Sequence, residues 1–175
     1  VATWREVEAA VPELAAAVRA VFDAHKHKVI GTLRADGSPR VSGNEATFSD
    51  GELWLGMMDG SVKARDLLRD PRVAIHSATA DPEMKMGDAK LAGRALEVTD
   101  PEVVRRFGEA AAGEQKGGAK EEGAGGDGET DESEPFHLFR VDVSELSLVR
   151  IGDPADHLVI ESWSAAAGYR RIERR

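Results

Sequence analysis

Apolar residues follow two rhythms along this chain. Val11, Leu14, Val18, Val21 and Phe22 recur every three or four positions, which puts them on one helical face and predicts an amphipathic helix over Pro12–Ala24. The rhythm then shortens. Lys28–Arg34 and Arg40–Phe48 flank the tight-turn pair Asp36-Gly37, and Ser49-Asp50-Gly51 turns the chain again into Leu53–Met57. Short strands joined by such turns predict an antiparallel meander. Ser42, Asn44 and Glu45 interrupt the second strand with polar groups that either face solvent or line a polar cavity.

The stretch from Gly51 to Ser77 is the most informative. After the Leu53–Met57 strand and Asp59-Gly60, a helix is predicted from Ser61, whose hydroxyl suits an N-cap. Asp70-Pro71 ends it, because the residue before a proline is pushed out of the α region. Lys63 and Arg65 fall in its first turn, where the helix dipole makes a cation unfavourable by roughly 0.3–1 kcal/mol. Either both side chains curl into solvent, or an anion compensates them, since helix starts bind phosphate through free N–H groups and neighbouring cations.

The pattern beyond is again strand-like. Arg72–Thr79, which contains His76, and Ala89–Thr99 are predicted strands, and Asp100-Pro101-Glu102 opens a helix that buries Val103, Val104 and Phe107 and ends near Ala112. A lone histidine among apolar neighbours is the signature of a hydrogen-bonded structural residue more than of a catalyst. Phe139, Val141 and Val143 alternate with Arg140, Asp142 and Ser144, and Leu146–Ile151 continues after a bulge. Asp153-Pro154 turns the chain, and Leu158–Trp163 and Tyr169–Arg174 are the last strands. Seven or eight short strands with two or three helices predict an antiparallel barrel with helical additions.

Composition narrows the class. The chain has 175 residues, 41% of them hydrophobic, which suits a single domain with its own core. No run approaches the roughly 20 apolar residues of a membrane span, and no signal peptide is visible. The absence of cysteine removes disulfides and thiolate chemistry and fits a cytoplasmic protein. The net charge of -9 argues against a general nucleic-acid binder.

The acidity is concentrated. Gly113–Glu134 holds eight acids and two lysines, -6 of the -9, in a Gly-rich segment without apolar pattern, which predicts a flexible insertion. Its GxGxxG at Gly123, Gly125 and Gly128 follows no strand, and the acids from Glu129 onward would repel a pyrophosphate. Asp127, Glu129 and Asp131 depart from calcium-loop spacing, and His25-Lys26-His27-Lys28 lacks a carboxylate partner, so no metal site is expected.

The run TLRADGSPRVSGNEATFSDGELWLGMM, followed by GSVKARDLLRDPRVAIHS and, at the end, WSAAAGYRRIERR, resembles the pyridoxamine 5'-phosphate oxidase-like family of split β-barrels. The similarity is greatest to members that use FMN or the deazaflavin coenzyme F-420. The resemblance implies a homodimer with the cofactor in a cleft between subunits. It places the cofactor phosphate at Ser61, Val62, Lys63 and Arg65, and the ring near Asn44, Met57, Met58 and His76. A C-terminal segment that closes the cleft would involve Trp163 and Arg170.

Either Arg34, Arg40, Arg69 and Arg72 supply a basic track for the acidic tail of the deazaflavin coenzyme, or the acidic insertion repels that tail. The implied activity is hydride transfer to or from a small unsaturated or carbonyl substrate, carried by the cofactor, with no catalytic side chain identifiable. The sequence shows no second phosphate site of the kind that pyridoxamine phosphate oxidation needs. The alternative is a binder without turnover, of flavin or of haem, with His76 or His137 as axial ligand.

Overall fold

In this computed structural model, residues 1–80, 83–117 and 136–175 are described. Most of the predicted insertion, including its GxGxxG run and the acids Asp127, Glu129 and Asp131, lies outside the described residues.

The chain opens with a helix that the apolar periodicity did not reveal, α1 (Trp4–Ala10). Its start is a reciprocal cap: Thr3 Oγ1 accepts from the Glu6 N–H, and Glu6 returns a carboxylate to the Thr3 N–H at 2.7 Å. Helix α2 (Pro12–Asp23) follows and buries Leu14, Ala15, Val18, Val21 and Phe22, the face its spacing predicts. Two strands come next, β1 (His27–Leu33) and β2 (Pro39–Glu45), joined by the turn at Gly37, whose φ of 83° favours glycine.

The predicted strand Arg40–Phe48 is two strands in fact. It breaks at buried Ala46, and β3 (Thr47–Ser49) pairs with β4 (Glu52–Met58) instead of with β1. Helix α3 (Val62–Arg69) and β5 (Arg72–His76) come next, then β6 (Asp88–Glu97). Helix α4 (Pro101–Gly117) runs past Ala112 into the predicted insertion. Strands β7 (Phe136–Ile151), β8 (Leu158–Ser164) and β9 (Gly168–Arg174) complete the chain.

All strand pairings are antiparallel, in the order β2-β1-β5-β6-β7-β4-β3, with β8 and β9 continuing from β7. The 16-residue β7 is long enough to serve two sheets: its first half pairs with β4, its second with β8. The predicted bulge lies in it, where Ala92 pairs with Glu145 and Gly93 with Val143, so that Ser144 is the extra residue. A side chain at Gly93 would meet the Asp142 carbonyl at 2.1 Å, so the bulge demands glycine.

The result is the split β-barrel that the resemblance implied. Ile30, Leu53, Leu55, Ile75, Leu91, Phe139, Val141 and Leu146 fill it, and α1 and α2 join that core through Trp4, Val7, Val18 and Phe22. Phe48 stands between the helices, 4.4 Å from the Trp4 ring and 5.8 Å from the Phe22 ring by centroid. The outward face of β1, β2 and β5 is different: Val29, Gly31, Val41, Gly43 and Ala74 stand there, with Val29 41% and Val41 74% exposed.

Phe22 is 1% exposed and seats α2 on the barrel. Phe22→Ala is therefore expected to cost about 3–5 kcal/mol in a urea titration. A loss below about 1 kcal/mol would mean that α2 is not part of the cooperative core.

Candidate functional site

Strands β2 and β4 lie side by side without backbone pairing, and this seam is where the chemistry-bearing residues gather. Asn44 is 6% exposed and turns inward from β2; its amide donates to the Glu45 carbonyl at 2.7 Å and to the Gly56 carbonyl of β4 at 3.3 Å. One side chain thereby bridges two strands that the sheet does not join. Beyond Met58 the chain turns through Asp59 and Gly60, whose φ of 68° is a glycine conformation, and enters α3 beside the same seam.

The first turn of α3 breaks two helix rules together. Ser61 occupies the N-cap position but its side chain caps nothing, and no acid lies in the first turn. Among the described residues, the N–H groups of Val62, Lys63 and Ala64 thus have no side-chain partner, as the opening groups of a helix have none until something caps them. Lys63 stands at this positive end, and its ammonium donates to the Gly43 carbonyl of β2 at 2.6 Å. That bond ties α3 to the outer edge of the seam. Burial pulls the Lys63 ammonium below its ordinary pKa, with only a neutral carbonyl bonded to it among the described residues.

Arg65 does not join Lys63. Residues two apart on a helix point to different sides, and Arg65 faces an open groove of about 440 Å³ on the other flank of α3. Arg34, Ala35, Asp36, Arg40, Val62, Asp66 and Arg69 also line it. Asp66 is the organiser of that flank. It is 3% exposed, and it accepts from Thr32 Oγ1 at 3.0 Å, Arg40 Nε at 2.6 Å and the Arg69 guanidinium at 3.1 Å. Burial alone would raise its pKa, but hydrogen bonds from Arg40, Arg69 and Thr32 outweigh it and hold the carboxyl below its ordinary value.

The remaining expected site residues scatter. Met57 is buried in the core, and Met58, beside Asp59, is 77% exposed. His76 is half-buried on β5, in a lateral row with Val29 and Gly43, and its Nδ1 donates to the Ser77 carbonyl at 2.8 Å. His137 lies between acids, with Nδ1 2.8 Å from Glu97 and Nε2 3.7 Å from Asp59. Trp163 belongs to the core, while Arg170 is exposed on β9. Arg72 is taken up by Asp70, which it holds down to about 2 in pKa, so it does not extend the track that Arg34, Arg40 and Arg69 form.

Lys28 also turns inward, donating to the His25 and Lys26 carbonyls at 2.6 and 3.1 Å at the end of α2. Among the described residues, no group of three or more His, Asp or Glu side chains is placed to hold a metal ion. None of the helices described is long and apolar enough to cross a membrane.

An antiparallel split barrel with an uncapped, cation-bearing helix start at its seam defines the class. The family model described as pyridoxamine 5'-phosphate oxidase matches residues 14–150, and the chain belongs to that family. No curated protein matches it in sequence. Among solved structures it is similar to PhzG from Burkholderia lata 383, in complex with tetrahydrophenazine-1-carboxylic acid, at 10% identity and a TM-score of 0.63, over 92% of this chain and 87% of that one. An F-420 reductase is similar at 18% identity and a TM-score of 0.53, over 73% of this chain and 94% of that one. The haem storage protein HutZ from Vibrio cholerae follows at 19% and 0.51, over 77% and 89%. At such identities these likenesses establish the fold alone.

The Asp66 network carries a pH signature. Its depressed folded pKa means that its contribution is present above the unfolded carboxyl value of about 3.9 and is lost as pH falls through the folded value. Asp66→Asn is expected to cost about 1.5–3 kcal/mol at pH 7 and markedly less at pH 2. Urea midpoints at the two pH values check this, and an equal loss at both would exclude the ionised carboxylate as the source.

Proposed function

We propose that the chain binds a phosphate-bearing flavin-type cofactor, FMN or the deazaflavin coenzyme F-420, with the phosphate at the start of α3. With it the protein acts as an oxidoreductase on a small unsaturated or carbonyl substrate. The observation that carries this reading is the first turn of α3. Three N–H groups without a side-chain cap, no acid, and a half-buried ammonium at the positive dipole end form a donor set that suits a phosphate and little else.

Lys63 supplies the charge and the N–H groups of Val62, Lys63 and Ala64 supply direction, with the Ser61 hydroxyl as a further donor. The outward row Gly43, Val29 and His76 crosses three strands, roughly 10 Å at the spacing of about 4.8 Å between strands. Beside it, Gly31 and Ala74 present almost no side chain, so a flat ring can lie close to the sheet. Asn44 bridges the seam from within, and Met57 of β4 is buried in the core. When bound, the cofactor supplies the hydride chemistry; the protein supplies position and excludes water.

The same outward face favours a second copy of the chain as partner. No described element covers Val29 and Val41, and exposed apolar sheet faces mark interaction sites. A homodimer would bury them and wall the cofactor cleft. A binder without turnover is the second reading, and His76 favours it: with Nδ1–H given to the Ser77 carbonyl, Nε2 keeps the lone pair that an axial ligand uses.

The visible spectrum of the purified protein separates a flavin or deazaflavin from haem, since the three absorb differently, and single-turnover reoxidation by a carbonyl or unsaturated substrate separates an oxidoreductase from a flavin binder. Lys63→Ala is expected to weaken FMN or F-420 binding by about 1.5–3 kcal/mol, the worth of a hydrogen bond to a charged group. Unchanged affinity in a fluorescence titration would remove Lys63 from the site. The Val41→Lys variant, charged in the middle of the exposed face, is expected to be monomeric by light scattering where the parent is dimeric; a parent that is itself monomeric would contradict the paired cleft.

A further inference from the structure

Strand β9 ends the continuous row β2-β1-β5-β6-β7-β8-β9, at the far end from β2. Its one strand partner among the described residues is β8, so every second residue along its other edge turns a backbone N–H and C=O away from any strand. Six of its seven residues are exposed, and neither a proline nor a bulge interrupts its register with β8. Such an edge is a template for one more strand.

The two faces of β9 are prepared differently. On one, the side chains are spent within the hairpin: Tyr169 donates to Glu161 at 2.9 Å, Glu161 also accepts from Arg150, and Arg171 pairs with Glu173 at 2.8 Å. On the other, Arg170, Ile172 and Arg174 stand opposite Ser162, Ile160 and Leu158 of β8. Neither Arg170 nor Arg174 has a hydrogen bond or ion pair from its guanidinium among the described residues. Between them, Ile172 ends a half-buried lateral row of Val149, Ile160 and Ile172, beside the exposed Leu158 and Ile151. Cross-strand neighbours on one face of a sheet interact in pairs. A strand laid on this edge therefore meets a cation, an aliphatic side chain and a second cation at alternate residues.

We infer that the β9 edge receives an extended acidic peptide segment by strand addition, with an acid, an aliphatic residue and an acid at alternate positions set against Arg174, Ile172 and Arg170. Charge selects this partner, since three arginines and one glutamate give β9 a net +2 in a chain whose net charge is -9. A second copy of β9 fits less well. Antiparallel pairing about Ile172 would set Arg170 of each copy directly against Arg174 of the other, and like charges directly opposite are destabilising. The inference lies outside the cofactor reading and does not depend on it.

The test uses the full chain and a fluorescein-labelled peptide, Gly-Thr-Glu-Thr-Val-Thr-Glu-Thr-Gly, titrated by fluorescence anisotropy at low and high salt. Binding that salt weakens is expected, with a peptide carrying lysine at both glutamate positions bound at least about tenfold more weakly. The double variant R170E/R174E is expected to reverse that preference with an unchanged melting temperature. N-methylation separates strand addition from charge attraction alone. Methyl groups on the glutamate and valine nitrogens block one edge of the peptide and methyl groups on the threonine nitrogens block the other, so one methylated peptide is expected to lose binding and the other to keep it.

The inference is overturned if the wild type does not bind the acidic peptide, if it binds the lysine peptide equally well, if R170E/R174E keeps the wild-type preference, or if the two methylated peptides bind alike.

Discussion

The barrel depends on how its two unjoined strands are held together. A closed barrel would satisfy β2 and β4 against each other through backbone pairing; here the Asn44 amide reaches across to the Gly56 carbonyl, and Lys63 ties α3 to the Gly43 carbonyl of β2. Both bonds come from polar side chains that would otherwise be costly to bury. They set the distance from the sheet edge to the first turn of α3, and so decide what that turn can present to a ligand.

The helix adds a second constraint from its other side. Asp66 is buried beneath α3 and holds Thr32 of β1, Arg40 of β2 and Arg69 of the helix itself. Its carboxylate fixes the helix against the β1-β2 hairpin, while Lys63 fixes it against the seam. A helix of eight residues, too short to be stable alone, thus has a defined rotation about its axis. That rotation sends Lys63 to one flank and Arg65 to the other, and one segment of eight residues serves two separate cationic surfaces.

Much of the fold was legible in the residues because its elements obey the two simple periods. The spacing of Leu14, Val18, Val21 and Phe22, and the alternation through Phe139, Val141 and Val143, correspond to observed buried faces. Helix α1 was carried by a capping box at Thr3 and Glu6, a signal of hydrogen-bond chemistry that apolar periodicity does not register. The split of Arg40–Phe48 into two strands had no such signal, since a strand that exchanges one partner for another keeps the same alternation.

The site was legible in part for a similar reason. The misplaced cations of α3 stand out locally, but the burial of Asp66 does not, because its partners Thr32 and Arg40 lie 34 and 26 positions away. The two-residue separation of Lys63 and Arg65 already implied divergent directions.

The central claim is that the start of α3 at the seam receives a cofactor's phosphate. Hydrogen–deuterium exchange of the whole chain, with and without saturating FMN and then F-420, tests it most directly. The account predicts that one of the two slows exchange at the amides of Val62, Lys63 and Ala64. Cofactor binding that leaves those amides unchanged and protects another segment would contradict it.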